Sequence, residues 1–245
     1  MKTAVVTDGK YRASLAAVRE LGEAGFSVVV TQTRQEAVHT PASFVSKFTK
    51  EGRWMEGSCR DADYGERLTA LLQAYDRPVL FPTGADTLRW ISAHREELAG
   101  TADFLVASPQ ALADLNDKET VHQRCLALGL SVPQEYDGPP DRYPVVVKPR
   151  CGEQFGLKSW ERYTIAEGQA AYQRAYETMS QYGGAPIVQE KVSGPGEGVN
   201  LLLDQNSRLV CAFCHRRLRE TPVTGGPSTR YGSIYDTRVI SQDSH

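Results

Sequence analysis

Two lysines, a loop with glycines and two acids stand in an order that suits a nucleotide. Lys118 follows Asp117 at the head of a helical stretch, and Lys148 ends the run Val145-Val146-Val147-Lys148. A loop from Arg150 to Lys158, carrying Gly152 and Gly156, follows directly. Beyond it, Ile187-Val188-Gln189-Glu190-Lys191-Val192 is a second apolar run with a charged exit, and Glu197 lies in Gly194-Pro195-Gly196-Glu197-Gly198. Lysines from separate elements neutralise a polyphosphate as point charges. A glycine loop lets backbone N–H groups approach phosphate oxygens. A strand exit offers backbone groups to an adenine edge, and a nearby carboxylate can accept from ribose hydroxyls. Arg216 and Arg217, with Arg219, precede Gly225-Gly226 and could bind a carboxylate or a γ-phosphate bidentately.

Strands and helices must position these groups. Residues 3–7 and 26–31 read as buried strands around a helix at Leu15, Val18 and Leu21, a unit that implies parallel pairing and a right-handed crossover. Residues 46–49 suggest a further short strand. A helix over 64–75, a strand over 78–81, a helix over 85–98 and a strand over 104–107 extend the pattern. Residues 1–107 are therefore expected to form a Rossmann-like parallel α/β domain.

Pro109 is placed to start a helix. Asp117 is placed to cap another over 118–128, which Gly129 ends. Residues 144–148 read as a strand, 166–182 as a helix, and 187–192 and 199–203 as strands. Gln205-Asn206-Ser207 reads as a hairpin turn into an antiparallel strand over 209–215. After Thr221 the chain reads as irregular. Residues 108–183 are taken as one subdomain, with the lysine strand and the loop, and 184–245 as the incomplete start of a second.

Composition excludes several classes. The chain has 245 residues, 28 Lys plus Arg against 30 Asp plus Glu, and a net charge of -2. That balance argues against nucleic acid or a membrane surface as the main partner. No apolar run is long enough to span a bilayer, no signal peptide is recognisable, and the five cysteines are scattered. A cytoplasmic protein with reduced thiols is expected. Cys211-Ala212-Phe213-Cys214-His215 has the letters of a haem-attachment motif. It falls within an expected strand, where the two cysteines point to opposite faces. Thr7-Asp8-Gly9-Lys10 follows the first strand without a Gly-x-Gly-x-x-Gly fingerprint, which disfavours a dinucleotide oxidoreductase. Pro82-Thr83-Gly84-Ala85-Asp86 ends another strand where α/β folds bind ligands, a candidate contact for an acceptor substrate.

The series from Lys118 to Glu197 resembles the ATP-grasp superfamily, in the branch of carbamoyl-phosphate synthase-like and biotin carboxylase-like proteins. The resemblance implies ATP and Mg²⁺ as cofactors. Lys118 and Lys148 would be the nucleotide lysines, Gly152 and Gly156 part of the phosphate lid, Glu190, Lys191 and Val192 the adenine hinge, and Glu197 the ribose acid. Lys148, Arg216 and Arg217 would act on the transferring phosphoryl group or the substrate. It also implies ligase chemistry, in which a small-molecule carboxylate is activated as an acyl-phosphate and passed to an amine. The lid has fewer glycines than is usual in the family. No metal-binding acids follow Glu220, so the chain is expected to be a fragment, inactive alone, whose metal ligands lie past His245. The alternative is a non-catalytic nucleotide-binding regulatory module.

Overall fold

The computed structural model describes residues 1–150, 155–221, 223 and 228–235. The chain divides into two compact units, Met1–Ala113 and Asp114–His245.

In the first unit, strands β1 (Thr3–Val6), β2 (Ser27–Thr33), β3 (Thr49–Met55) and β4 (Val79–Phe81) form one parallel sheet in the order β3-β2-β1-β4. Helix α1 (Arg12–Glu23) links β1 to β2, and α2 (Tyr64–Gln73) precedes β4. After β4 come α3 (Ala85–Ala93) and α4 (Arg95–Leu98). Both faces of the sheet are covered, so the central strands are continuous apolar runs. Val5, Val29 and Leu80 pack against Tyr64, Leu68, Leu72 and Ile91. Val6, Val28 and Val30 pack with Val18 of α1, with Phe44 and Phe48 beside them. Gly22 allows that close approach, since a Cβ there would stand 2.5 Å from the Phe48 Cβ.

Three expectations change here. The strand expected over 46–49 is β3, starting at Thr49. It is an edge strand with alternating exposure, so polar residues hide it from an apolar search. The helix expected over 85–98 breaks at His94, whose ring stacks on Trp90 at 4.1 Å and whose Nδ1 lies 2.9 Å from the Trp90 carbonyl. The strand expected over 104–107 shrinks to a single parallel bridge between Val79 and Asp103. Val106 of that stretch is buried in the core and Phe104 packs beside it, while Leu105 is exposed.

Helix α5 (Pro109–Asn116) crosses the division, with Pro109 at its first position. In the second unit, α6 (Lys118–Ala127) is capped by Asp117, which accepts from the Thr120 N–H at 3.0 Å. Strands β5 (Val145–Lys148), β6 (Thr164–Ala166) and β7 (Ile187–Glu190) form an antiparallel sheet in the order β6-β5-β7. Helix α7 (Gln169–Ser180) packs on it through Tyr172, Ala175 and Met179. Ala166 therefore ends a strand rather than starting a helix. Thr164 and Ile165 are β-branched and pair with Val147 and Val146, and Gly168 is the helix N-cap.

A second antiparallel sheet holds β8 (Glu197–Leu203), β9 (Leu209–Glu220) and β10 (Ser228–Ile234), in the order β10-β9-β8. The expected turn at 205–207 is present, with the Ser207 N–H donating to the Asp204 carbonyl at 3.0 Å. β9 runs past 215 and β10 occupies part of the stretch read as irregular. Both are exposed along most of their length, so neither carries a buried alternation to mark it. Among the described residues no helix is long and apolar enough to cross a membrane.

Candidate functional site

Strand β5 sorts its side chains by the two-residue period. Val145 and Val147 are fully buried against α7, which leaves Val146 and Lys148 on the opposite face. That face is one wall of a cavity of about 650 Å³. Ile165, the cross-strand partner of Val146, extends the apolar part of the wall. Lys191, Val192 and Gly196 contribute backbone and side chains from the β7 exit, and Arg217 and Glu220 come from β9. Arg162 and Tyr163 complete the rim before β6.

Lys148 is half-buried, and among the described residues no carboxylate pairs with it. Burial lowers its pKa below the ordinary lysine value, the charge of Lys118 lowers it further, and Glu135 opposes both. An anion placed here would relieve that cost of holding a cation. Lys118 starts α6, and its Nζ donates to the Arg150 carbonyl at 3.2 Å. Arg150 Nε stands 2.7 Å from Asp117 Oδ2, and its guanidinium also pairs with Glu119. The helix cap, the first lysine and the residues after β5 are thus tied together.

The β7 exit is anchored on one side. The Glu190 N–H donates to the Gln134 carbonyl at 2.9 Å, and its carboxylate accepts from the Gln134 N–H at 3.0 Å. The Lys191 N–H points to the Pro144 carbonyl at 3.4 Å. Val192 makes no hydrogen bond among the described residues, so its backbone N–H is available to a ligand.

The structure sorts the residues expected from the sequence. Lys148, Lys191, Val192 and Arg217 line one cavity, and Lys118 lies close enough to Lys148 to act on its charge. Glu190 faces Gln134 instead. Glu197 and Arg216 are register partners on β8 and β9, joined by contacts of 2.7 and 2.6 Å, and neither lines the cavity. Arg217 donates its N–H to the Gly196 carbonyl at 2.7 Å, and its guanidinium lies 3.3 Å from Glu220. Gly156 is described, with a left-handed φ of 66°, and stands outside the cavity lining. Gly152 lies outside the described residues. Cys211 is exposed and Cys214 buried, as a strand requires.

Sequence reasoning missed Glu135, which faces Lys148 electrostatically and accepts from Gln189 Nε2 at 2.6 Å, with His122 Nδ1 3.2 Å away. It sits in an irregular stretch, and no spacing rule marks it. Ile165 and Tyr163 were hidden with β6. Among the described residues no three His, Cys, Asp or Glu side chains converge.

No protein-family model and no curated relative matches the sequence. Solved structures do. The biotin carboxylase domain of Hydrogenobacter thermophilus 2-oxoglutarate carboxylase, with MgADP and bicarbonate, superposes with a TM-score of 0.60 at 15% identity, over 88% of this chain and 50% of that one. The L-amino acid ligase of Bacillus licheniformis gives 0.60 at 13%, over 100% and 59%. Carboxyaminoimidazole ribonucleotide synthase of Aspergillus clavatus, with ATP, gives 0.59 at 12%, over 99% and 62%. The chain spans about half the length of the first and somewhat more of the other two. All three are ATP-grasp enzymes, and the fold of this chain is the ATP-grasp fold.

Proposed function

We propose that the second unit binds ATP in the cavity between Val146 and Arg217, as part of an ATP-dependent carboxylate–amine ligase. One observation carries this reading: Lys148, half-buried without a carboxylate partner among the described residues, stands on the same strand face as the apolar Val146. A purine needs an apolar slot and its phosphates need cations, and this face offers both. The cavity volume lies within the range of about 300–1,000 Å³ usual for small-molecule sites.

Val146 and Ile165 flank the base, and the Val192 N–H meets its edge. Lys148 and Lys118 neutralise the outer phosphates, and Arg217 contacts the γ-phosphate or the carboxylate substrate. In the chemistry, a carboxylate oxygen attacks the γ-phosphorus and ADP leaves. An amine then attacks the acyl-phosphate carbon and inorganic phosphate leaves. The chain's part is positioning and charge neutralisation. No step is routed through metal, and the reading includes nucleotide binding without turnover by the 245 residues alone. A cytoplasmic setting and a carbamoyl-phosphate synthase-like type belong to the same reading.

The test is calorimetric titration of the purified chain with ATP, beside an ADP-release assay. Saturable ATP heat supports the reading. No heat at millimolar ATP contradicts it.

A further inference from the structure

The first unit holds a cavity of its own, of about 400 Å³, at the C-terminal ends of β1 and β4. The sheet order β3-β2-β1-β4 reverses direction between these two strands, and open α/β sheets bind ligands at such a crevice. Asp8, the second residue after β1, is only 7% exposed and forms part of the wall. Its Oδ2 accepts from the Thr7 hydroxyl and from the Gly84 N–H at 3.0 Å, and its Oδ1 accepts from the Thr87 hydroxyl at 2.9 Å. Gly84 has to be glycine for this contact, because a Cβ there would stand 2.5 Å from the Asp8 carboxyl carbon.

Three features of Asp8 point to a ligand. A carboxylate offers about four acceptor positions, and three are used, which leaves one on Oδ1. Among the described residues no cation lies within ion-pair distance of Asp8, although buried charges are ordinarily paired. Its backbone is also held at φ 57°, a left-handed conformation uncommon for a residue with a side chain. Strain of that kind concentrates at functional sites.

The cations of the cavity are Lys10, two residues on in the same loop, and Arg60. Lys10 Nζ donates to the Glu36 carbonyl at 3.1 Å and lies 3.8 Å from its carboxylate. Arg60 pairs with Asp86 at 2.6 Å, and its side chain is 69% exposed. The backbone donors after β1 are already spent. Gly9 N–H goes to the Thr31 carbonyl, Lys10 N–H to Gln32 Oε1 and Tyr11 N–H to the Asp8 carbonyl. A phosphate cradled by this loop is therefore disfavoured. A metal is disfavoured too, since no three ligating side chains converge among the described residues.

We propose that this crevice binds a free α-amino acid, with its ammonium on Asp8 and its carboxylate on Lys10 and Arg60. The inference rests on the first unit alone and is independent of the nucleotide reading, so either can fail without the other.

The experiment is calorimetry on the full chain with each of the standard L-amino acids in turn at millimolar concentration. Any that binds is repeated as its N-acetyl and its carboxamide derivative, with inorganic phosphate as a control. At least one amino acid should bind, and blocking either end should weaken it about tenfold or more, the loss of a charged hydrogen bond. Asp8→Asn tolerates the left-handed backbone and should weaken binding as much. Arg60→Gln, at an exposed side chain, should weaken it several-fold with an unchanged melting temperature, which keeps the test open if Asp8→Asn does not fold. Binding of none of the amino acids, of phosphate alone, or of the N-acetyl derivative with undiminished affinity would overturn the proposal, as would undiminished binding by Arg60→Gln.

Discussion

Glu197 and Arg216 face each other across β8 and β9, with Arg216 Nε 2.7 Å and Nη2 2.6 Å from the same Glu197 oxygen. The resemblance to ATP-grasp proteins assigns one to the ribose and the other to the reaction. The geometry spends each on the other, outside the cavity that holds Lys148. We therefore expect Glu197→Gln to change ATP affinity less than twofold, within about 0.5 kcal/mol for an exposed pair. Calorimetry checks it, and a tenfold loss would return Glu197 to the ribose.

The β7 exit separates two substitutions. The Val192 N–H has no partner among the described residues, so Val192→Pro removes a donor that the fold does not use. We expect that variant to keep its melting temperature and to lose adenosine affinity. Lys191→Ala should be mild, because only its backbone is fixed at the hinge. A folded Val192→Pro protein with undiminished adenosine affinity would rule out base reading at this position.

Asp117 supports the site through α6. Burial raises its carboxyl pKa, but the Thr120 N–H and the Arg150 guanidinium outweigh that and hold it below the ordinary aspartate value of 3.8. A lowered carboxyl pKa adds stability above 3.8 that is lost as pH falls through the folded value. Asp117→Ala should cost about 1 kcal/mol in urea denaturation at neutral pH, the usual loss of an N-cap. Asp117→Asn keeps the cap and should cost less. Equal stability of the alanine variant and the wild type would show that the cap is idle.

Lys148 gives the pH dependence. Its pKa is lowered, chiefly by burial and then by Lys118, so the folded state favours the neutral amine relative to the unfolded chain. In the window between the lowered value and 10.5 the unfolded chain binds more protons, so the stability of the free protein rises with pH there. ATP affinity runs the other way, because the phosphates need the charged form. It should fall with rising pH earlier than an ordinary lysine would allow, and Lys148→Met should remove that fall. A flat profile in the wild type across the same window would exclude Lys148 as the phosphate cation.

Much of this site is written in local patterns. The two-residue period of Val145-Val146-Val147-Lys148 fixes which face Lys148 takes, because the buried partners alternate. Asp117 before Lys118 is a capping signal that needs no tertiary context. Other parts depend on distant pairing. β6 is three residues long, and its role as the second wall follows only from the register of Ile165 with Val146. β10 and the end of β9 are largely exposed on both faces, so no buried hydrophobic period reveals them. Glu135 acts on Lys148 from an irregular stretch, and Glu197 meets Arg216 through a register that the sequence does not show.

The most direct measurement is calorimetry of ATP, ADP and AMP against the wild type and Lys148→Ala. If Lys148 neutralises the outer phosphates, the variant should lose about 1.5–3 kcal/mol of ATP affinity, the scale of a hydrogen bond to a charged group, and much less for AMP. Equal weakening for all three nucleotides, or none, would contradict the assignment of this cavity to the nucleotide's phosphates.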